Sequence, residues 1–264
     1  MLTGTIRKLQ TQLNDNKVQY SLPIGAELLS LNAIIGEKLE LEYTGKILCV
    51  SCGRKTKKSF NQGYCFPCVR SLPECDMCVV RPETCHFEAG TCRDAEWGKN
   101  NCFIQNTVYL ANSSGLKVGI TRTRQQQHRW MDQGASQAVP IAFTNNRLDA
   151  GKLEVALKAH VADKTNWRKM LQGQPEKVDL MGMAHTLLES APADLEWQKA
   201  EEQPIEIEYP VSEYPEKVKS LNFDKTPLVS GILKGIKGQY LIFDCGVLNI
   251  RKFSGYELIA RPAS

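Results

Sequence analysis

Apolar and polar residues alternate near both ends of the chain, and this two-residue period is typical of half-buried β-strands. At the amino end the alternation predicts three strands, at residues 2–10, 17–24 and 37–50. Residues 228–264 hold four further short apolar segments separated by glycines. We expect these to form a small barrel or meander, which the amino-terminal strands would complete.

The middle of the chain predicts a hairpin followed by a helix and a third strand. Residues 107–121 contain two apolar segments around an Asn-Ser-Ser-Gly turn, which is a hairpin signal. Thr123 and Gln126 have the spacing of a capping box, so a helix is expected to begin there and to stop at Gly134. The third strand is predicted at 137–143.

Two helices with one apolar face each are predicted after that strand. The first covers residues 147–163, with apolar positions at Leu153, Leu157 and Val161. The second covers residues 177–190, with Leu180, Met183, Leu187 and Leu188 on one side.

Residues 191–227 contain five prolines and many acidic residues, which is typical of an extended connector. The predicted fold class is therefore α+β. Its parts, in order, are a β module at 1–48, a cysteine-rich metal-binding segment at 49–102, an α/β domain at 103–190, the connector at 191–227 and a second β module at 228–264.

The composition is that of an ordinary globular protein, with 42% apolar and 23% charged residues. The first twenty residues are polar and charged, unlike a secretory signal. No apolar run approaches the ~18 residues of a membrane span. We therefore expect a cytoplasmic protein that does not interact with membranes.

Eight of the ten cysteines lie between residues 49 and 92. Cys49 and Cys52 form one CxxC pair, and Cys65 and Cys68 form another. Each two-residue spacer lets a tight turn present both sulfurs to one ion, and two such turns complete a tetrahedral zinc site. An iron–sulfur cluster also takes four thiolates, and a redox dithiol needs only one CxxC.

The remaining cysteines of this segment predict a second zinc site, although their spacing is less regular. His86 is an alternative ligand to Cys85, and Cys102 and Cys245 stand apart as ordinary small residues. The expected ligands of the second ion are Cys75, Cys78, Cys85 and Cys92.

The net charge is only +4, but the basic residues are clustered. Between residues 46 and 73 there are six basic residues and no acidic one, and Arg122, Arg124 and Arg129 form a second group. These cations suit contacts to phosphate. They equally suit the neutralisation of a zinc ion with four thiolates, whose net charge is about −2.

The order of residues in the α/β domain resembles the core of the GIY-YIG nucleases. In that family the first motif ends in a tyrosine, the second ends in a glycine, an arginine follows on a helix, and a glutamate lies on a later helix. Tyr109, Gly119, Arg129 and Glu154 stand in that order. Lys117 stands where active members carry tyrosine, as in a divergent branch of the superfamily. With its cysteine segment, the whole chain resembles an uncharacterised bacterial family of that superfamily.

The resemblance implies a function and a set of roles. Glu154 would hold Mg²⁺, Arg129 would grip the phosphate, and Tyr109 would orient or deprotonate the attacking water. Lys117 is counted with these catalytic residues, as a point charge that would bind phosphate, and Gly119 is expected to contact substrate. From the basic group, Arg122 and Arg124 are also expected to bind substrate. The expected function is therefore that of a metal-dependent nuclease that cleaves DNA or RNA. Alternatively, the protein is a degenerate relative of such a nuclease that still acts on nucleic acid.

Each of these residues also has a purely structural interpretation. Glu154 and Lys158 are spaced as an exposed helix ion pair, Arg129 is able to pack its stem on the surface, and Tyr109 is an ordinary strand aromatic. The alternative function is a non-catalytic module that binds nucleic acid or a protein. A third possibility is a redox or iron–sulfur protein.

Overall fold

A computed structural model describes residues 1–161 and 164–262. The strands are β1 (Leu2–Thr5), β2 (Gln10–Asn14), β3 (Lys17–Ile24), β4 (Glu27–Ser30), β5 (Lys38–Leu48), β6 (Lys55–Thr56), β7 (Asn106–Asn112), β8 (Leu116–Arg122), β9 (Gln137–Thr144), β10 (Gln198–Lys199), β11 (Ile205–Glu206), β12 (Leu228–Lys237), β13 (Tyr240–Phe243), β14 (Gly246–Asn249) and β15 (Tyr256–Pro262). The helices are α1 (Phe66–Ser71), α2 (Ala95–Asn101), α3 (Gln126–Asp132), α4 (Arg147–Leu157), α5 (Trp167–Leu171) and α6 (Leu180–Leu188).

The described part of the chain is mixed α and β, with three antiparallel sheets, which confirms the predicted fold class at that level. It divides into two compact units. The first unit holds residues 1–69, 171–173 and those from 208 onward, and the second holds Arg70–Met170 and Gln174–Ile207. Among the described helices, none combines the length and the apolar character that a membrane crossing requires.

The first unit joins the two ends of the chain in one sheet. The strand order is β1-β15-β5-β12-β13-β14, with β6 paired to β5, and β2-β3-β4 form a separate sheet. The register places Leu2 opposite Ala260 and Leu41 opposite both Ala260 and Val229. The predicted completion of the carboxyl-terminal strands by amino-terminal ones is therefore observed.

The strand predicted at 2–10 is divided in two. Ile6 and Leu9 are three positions apart, so one continuous strand would point them to opposite faces. Both side chains are fully buried, and the chain bends between them before β2 begins at Gln10. Burial of both side chains therefore overrides the alternation of apolar and polar residues. The short strand β4 was not predicted from the sequence.

The second unit is built on a sheet with the order β10-β9-β7-β8, with β11 also paired to β9. The predicted hairpin is β7 and β8, and the predicted third strand is β9. The connector is not wholly extended between the modules, because it contributes β10 and β11 to this sheet. Helices α4 and α6 pack their buried leucines against one face of the sheet.

The predicted capping box is wrong, although the helix it marked is present. A 3-10 turn precedes α3, which begins at Gln126 without a side-chain cap. The hydroxyl of Thr107 on β7 instead donates to Thr123 Oγ1 at 2.9 Å and Gln126 Oε1 at 3.3 Å. A contact to the sheet thus replaces the local cap. The predicted stop at Gly134 is confirmed, with φ +68°.

The other predicted helices are shorter than expected, and α5 was not predicted. Helix α4 ends at Leu157 in tighter turns, and Val161 still packs against the core. The end of the predicted segment, at residues 162–163, lies outside the described residues. Helix α6 begins after Asp179, whose Oδ1 accepts from two backbone N–H groups. Met183 was expected on its buried side but is exposed.

Candidate functional site

The first group of cysteines is assembled by two turns at the end of β5. Cys49 follows β5, and the N–H of Gly53 donates back to the Cys49 carbonyl at 2.9 Å. Gly53 has φ +72°, a conformation that suits a residue without a Cβ. The second pair, Cys65 and Cys68, sits at the start of α1. We call Cys49, Cys52, Cys65 and Cys68 the cysteine cluster.

The sulfurs of the cysteine cluster all lie within 4.8 Å of one another. The Sγ atoms of Cys52 and Cys65 are 3.7 Å apart. A tetrahedral ion with Zn–S bonds of about 2.3 Å would place its sulfurs ~3.8 Å apart. The cluster could therefore hold a metal ion, and its geometry and ligand type are compatible with zinc.

The protonation of these thiols reflects their crowding. Burial acts to raise the pKa of Cys49, but backbone N–H groups, including those of Cys52 and Cys65, lower it to about 6. For Cys68 a hydrogen bond with Cys65 is the largest cause, and with burial it raises the pKa to about 12. Four sulfurs this close cannot all be anionic without a cation to offset their charge.

Two of the basic residues between 46 and 73 interact with neighbouring groups in the structure. The hydrogen bond from Arg54 to Cys52, with the nearby charges of Cys65 and Cys68, raises the pKa of the Arg54 guanidinium. Lys46 Nζ lies 3.1 Å from Glu257 Oε1. Arg54 therefore offsets negative charge on the sulfurs, which is the second of the two roles expected for the basic residues between 46 and 73.

The second group of cysteines is less compact. Cys78, Cys85 and Cys92 line one small cavity, together with Cys102, whereas Cys75 is not among its lining residues. Among the described residues, the only other set of at least three close metal-binding side chains is Asp76, Cys78 and His86.

In the second unit, Tyr109 is at the centre of a polar group on the sheet. The side chain is 1% exposed, and its ring meets the Trp130 ring edge-on at 6.0 Å. Gln133 Nε2 donates to the hydroxyl at 2.6 Å, and Arg129 also hydrogen-bonds to it. Because the oxygen accepts two hydrogen bonds, its own proton remains available for donation.

Gly119 lies directly under the Tyr109 ring. The two residues are opposite each other in the β7–β8 pair, and a Cβ on Gly119 would lie 2.6 Å from the tyrosine oxygen. The position therefore requires glycine for packing. Lys117 is two residues away on the same strand, so it points to the same face, and it is only 6% exposed.

Arg129 connects Tyr109 with two carboxylates. Burial acts to lower its pKa, but the net shift is upward because Tyr109, Asp132 and Glu154 stabilise the charged guanidinium. Glu154 on α4 also forms an ion pair with Lys158, with 3.7 Å between Oε2 and Nζ. We call Tyr109, Arg129 and Glu154 the tyrosine site, since the structure brings their polar groups together.

The predicted substrate contacts Arg122 and Arg124 differ from each other. Arg122 is half-buried, with its Nε donating to the Asn101 carbonyl at 2.8 Å and its guanidinium over the Trp97 ring. Burial lowers its pKa. Arg124 is exposed on the turn before α3. Both of these partners of Arg122 lie on α2.

Sequence reasoning did not single out Arg147, Gln133 or Cys102. Arg147 is half-buried, it interacts electrostatically with Arg129 and Glu154, and burial lowers its pKa. The sequence feature that could have drawn attention to it is its position directly after the helix cap Asn146, in the first turn of α4. Gln133 and Cys102 carried none, because only tertiary packing brings them to Tyr109 and to the cavity.

These features define a mixed α and β protein with a cysteine cluster fit for a metal ion and a second, polar site on a separate sheet. The chain belongs to the family described as "Protein of unknown function (DUF2797)", whose family model matches residues 36–258. The match spans both the cysteine cluster and the tyrosine site. No curated protein and no solved structure matches the chain.

Proposed function

We propose that this protein acts on nucleic acid as a metal-dependent phosphodiester-cleaving nuclease of GIY-YIG type, or as a degenerate relative of one. The observation that supports the proposal is the position of Arg129, which interacts with both the Tyr109 hydroxyl and the Glu154 carboxylate. These groups come from β7, α3 and α4. The same three residues stand in the order of the GIY-YIG motifs along the sequence.

The proposed chemistry assigns one task to each side chain. Arg129 binds a phosphate oxygen through its planar guanidinium, which also stabilises the charge of the pentacoordinate state. The Tyr109 hydroxyl keeps its proton and donates a hydrogen bond to the attacking water or to the phosphate, which orients it. A magnesium ion at Glu154 would supply the positive charge that phosphodiester cleavage requires, with most of its octahedron left to water and phosphate.

Lys117 has a supporting task in this proposal. A protonated lysine cannot act as the base for the attacking water, so it would bind phosphate as a point charge. Zinc in the cysteine cluster has a structural task, because four protein ligands leave no open position for substrate.

The direct test is cleavage of a panel of DNA and RNA substrates by the metal-replete protein, with and without Mg²⁺. We expect Glu154→Gln to reduce cleavage by about two orders of magnitude or more, the size usual for a lost transition-state contact. The matched control is Lys158→Ala, which breaks the same helix ion pair from its other end. Equal cleavage by wild type and Glu154→Gln would rule out the assigned role of Glu154.

A non-catalytic binding module is the second candidate function. It is favoured by the burial of Tyr109 and Lys117, since a substrate phosphate must reach both. This candidate predicts salt-dependent binding without turnover, with log K falling by about 0.9 per phosphate contact for each unit of log salt. Tight binding to a protein partner, with no affinity for polynucleotide, would displace both nucleic-acid functions.

A further inference from the structure

Three metal-binding side chains of different types meet in the second unit, outside the cysteine cluster and the tyrosine site. Asp76 and Cys78 come from one 3-10 turn, in which the Cys78 backbone N–H donates to Asp76 Oδ1 at 3.4 Å. His86 follows the next such turn, which ends at Thr84. A carboxylate oxygen, a sulfur and a ring nitrogen of the three residues all lie within 4.8 Å of one another. We call Asp76, Cys78 and His86 the mixed triad.

The hydrogen bonds of His86 decide which of its ring nitrogens carries a proton. Thr91 Oγ1 donates its only proton to the His86 backbone carbonyl at 3.3 Å, and the same oxygen lies 2.8 Å from His86 Nδ1. Nδ1 must therefore be the donor in the second contact. In the neutral ring this leaves Nε2 as an acceptor that carries a lone pair.

That lone pair lies next to a negative charge, since His86 Nε2 is 3.5 Å from Asp76 Oδ1. Two acceptors this close repel each other unless a proton or a cation lies between them. A charge-assisted hydrogen bond would draw them to about 2.7–2.9 Å. A shared tetrahedral zinc ion, with Zn–N and Zn–O bonds of about 2.1 Å, would instead hold them ~3.4 Å apart. The observed separation fits the ion.

A neighbouring arginine holds the other oxygen of the carboxylate. Arg93 Nε lies 2.7 Å from Asp76 Oδ2, and Arg93 Nη1 donates to the Leu72 carbonyl at 3.0 Å. Metal-binding histidines and carboxylates are typically oriented by such contacts to the atom that does not bind the ion. Thr91 holds the ring of His86 in the same way. Both side chains are therefore fixed with one ligand atom directed to the centre of the mixed triad.

We propose that Asp76, Cys78 and His86 bind a zinc ion as a second metal site of this protein. A thiolate and an imidazole suit zinc better than magnesium or calcium, which prefer oxygen ligands. Among the described residues, no fourth cysteine, histidine or acidic side chain joins this set. The side chains of Asp76 and His86 are 14% and 32% exposed, so solvent reaches the site. The fourth position is therefore left to a water or another small Lewis base, unlike in the closed cysteine cluster.

This site differs from the second site that the sequence predicts. Cys78 is kept, and His86 is a ligand as the alternative to Cys85 foresaw. Asp76 was not singled out, because an aspartate inside a CxxC pair has the look of an ordinary turn residue. The predicted ligands that the mixed triad omits are Cys75, Cys85 and Cys92.

The first experiment measures bound zinc in the purified full-length protein and its variants. With one ion in the cysteine cluster and one in the mixed triad, the wild type should hold about two ions per chain. Asp76→Asn and His86→Ala should each hold one ion fewer. The matched control is Glu88→Gln, which neutralises an exposed carboxylate two residues from His86 and should hold as much zinc as the wild type. Equal zinc content in the wild type and both triad variants would overturn the proposal, and the contact would then be an ion pair between protonated His86 and Asp76.

The second experiment uses the unmodified protein, so it does not depend on a variant that folds. The zinc-loaded chain is alkylated with and without a zinc chelator, and the reaction of each cysteine is quantified by mass spectrometry. We expect Cys78 to react several-fold faster after chelation, while Cys85 and Cys102 react at the same rate in both conditions. No change at Cys78, or equal changes at all three cysteines, would contradict the ligand set.

The third experiment tests the open coordination position. Zinc is replaced by Co²⁺, imidazole is added, and the absorption spectrum of the metal is recorded. We expect a shift in the wild type and none in His86→Ala, because the cysteine cluster has no position for an added ligand. A wild-type spectrum that imidazole leaves unchanged would show that the fourth position is filled. None of the three experiments depends on the proposed nuclease function, which is assayed separately.

Discussion

The cysteine cluster and the tyrosine site are stabilised in opposite ways. The cluster gathers four like groups from two turns, and their sulfurs repel one another as thiolates. The tyrosine site gathers complementary groups from one strand and two helices, and each satisfies another. A cation would therefore stabilise the cluster, whereas the groups of the tyrosine site stabilise one another with their own hydrogen bonds and charges.

This difference predicts separate responses to metal removal. Chelation should affect the first unit, which contains the cluster, far more than the sheet that carries Tyr109. Variants of the tyrosine site should lower the free energy of unfolding by the smaller amounts that are usual when packing or a hydrogen bond is lost.

Loss of one ligand of the cysteine cluster should have the largest effect. Structural zinc sites contribute about 10–16 kcal/mol of binding free energy in small peptides, and loss of a metal is among the changes that exceed ~4 kcal/mol. We expect Cys52→Ser to lower the free energy of unfolding by about 4 kcal/mol or more and to remove one zinc ion. Thermal unfolding and metal analysis measure the two effects.

The matched control for that variant is Cys245→Ser, which changes an exposed thiol and should leave melting and zinc content unchanged. Chelation of the wild type should reproduce the effect of Cys52→Ser. A cluster variant with unchanged melting and full zinc content would show that the cluster holds no metal. A coloured protein containing iron and sulfide would replace zinc with an iron–sulfur cluster.

Gly119→Ala should have the next largest effect. The added Cβ would lie 2.6 Å from the Tyr109 oxygen, and the ring is fixed by Trp130, Gln133 and Arg129. Overpacking of this kind costs about 1–3 kcal/mol, which exceeds the ~0.4–1 kcal/mol gained when a glycine is replaced. Denaturant unfolding measures the difference.

Gly173→Ala is the control for overpacking, since a Cβ at Gly173 meets no atom within 4 Å. We expect it to be neutral or slightly stabilising. If Gly119→Ala is equally harmless, Tyr109 moves freely and the tyrosine site is not rigid.

The contrast between the two regions also explains what the sequence could predict. Cys49 and Cys52, like Cys65 and Cys68, are neighbours along the chain, so a local turn is enough to bring their sulfurs together. The hairpin of β7 and β8 was predictable for the same reason. Thr123 shows the limit, because its expected cap was replaced by a contact with Thr107 from another element.

The candidate sites follow the same rule. Cys102 is ten residues beyond Cys92, and only the packing of α2 brings it to the cavity. Arg147 and Gln133 reach their partners through helix positions that no local pattern specifies. Ile6 and Leu9 show the same limit in a strand. The alternation of apolar and polar residues predicts one continuous strand there, but burial of both side chains divides it.

Tyr109→Phe should cost about 1–3 kcal/mol, because it removes the acceptor of Gln133 Nε2 and of Arg129 and leaves both donors without it. The double variant with Gln133→Leu should cost less than the sum of the two single variants, since it removes one donor together with the acceptor. Chemical unfolding of the four proteins gives the coupling energy. Additive effects would mean that the 2.6 Å contact contributes little.

Lys158→Ala should have the smallest effect, and it separates the two interpretations of Glu154. As a helix ion pair, Glu154 and Lys158 contribute about 0.2–0.5 kcal/mol, so either single variant would cost that amount. Glu154 also interacts electrostatically with the guanidiniums of Arg129 and Arg147, and Glu154→Gln removes this attraction whereas Lys158→Ala leaves it in place. We therefore expect Glu154→Gln to destabilise the protein more than Lys158→Ala in unfolding measurements at low salt. Equal, small effects of both variants on stability and on cleavage would reduce Glu154 to an ordinary surface ion pair and leave Arg129 without its proposed catalytic partner.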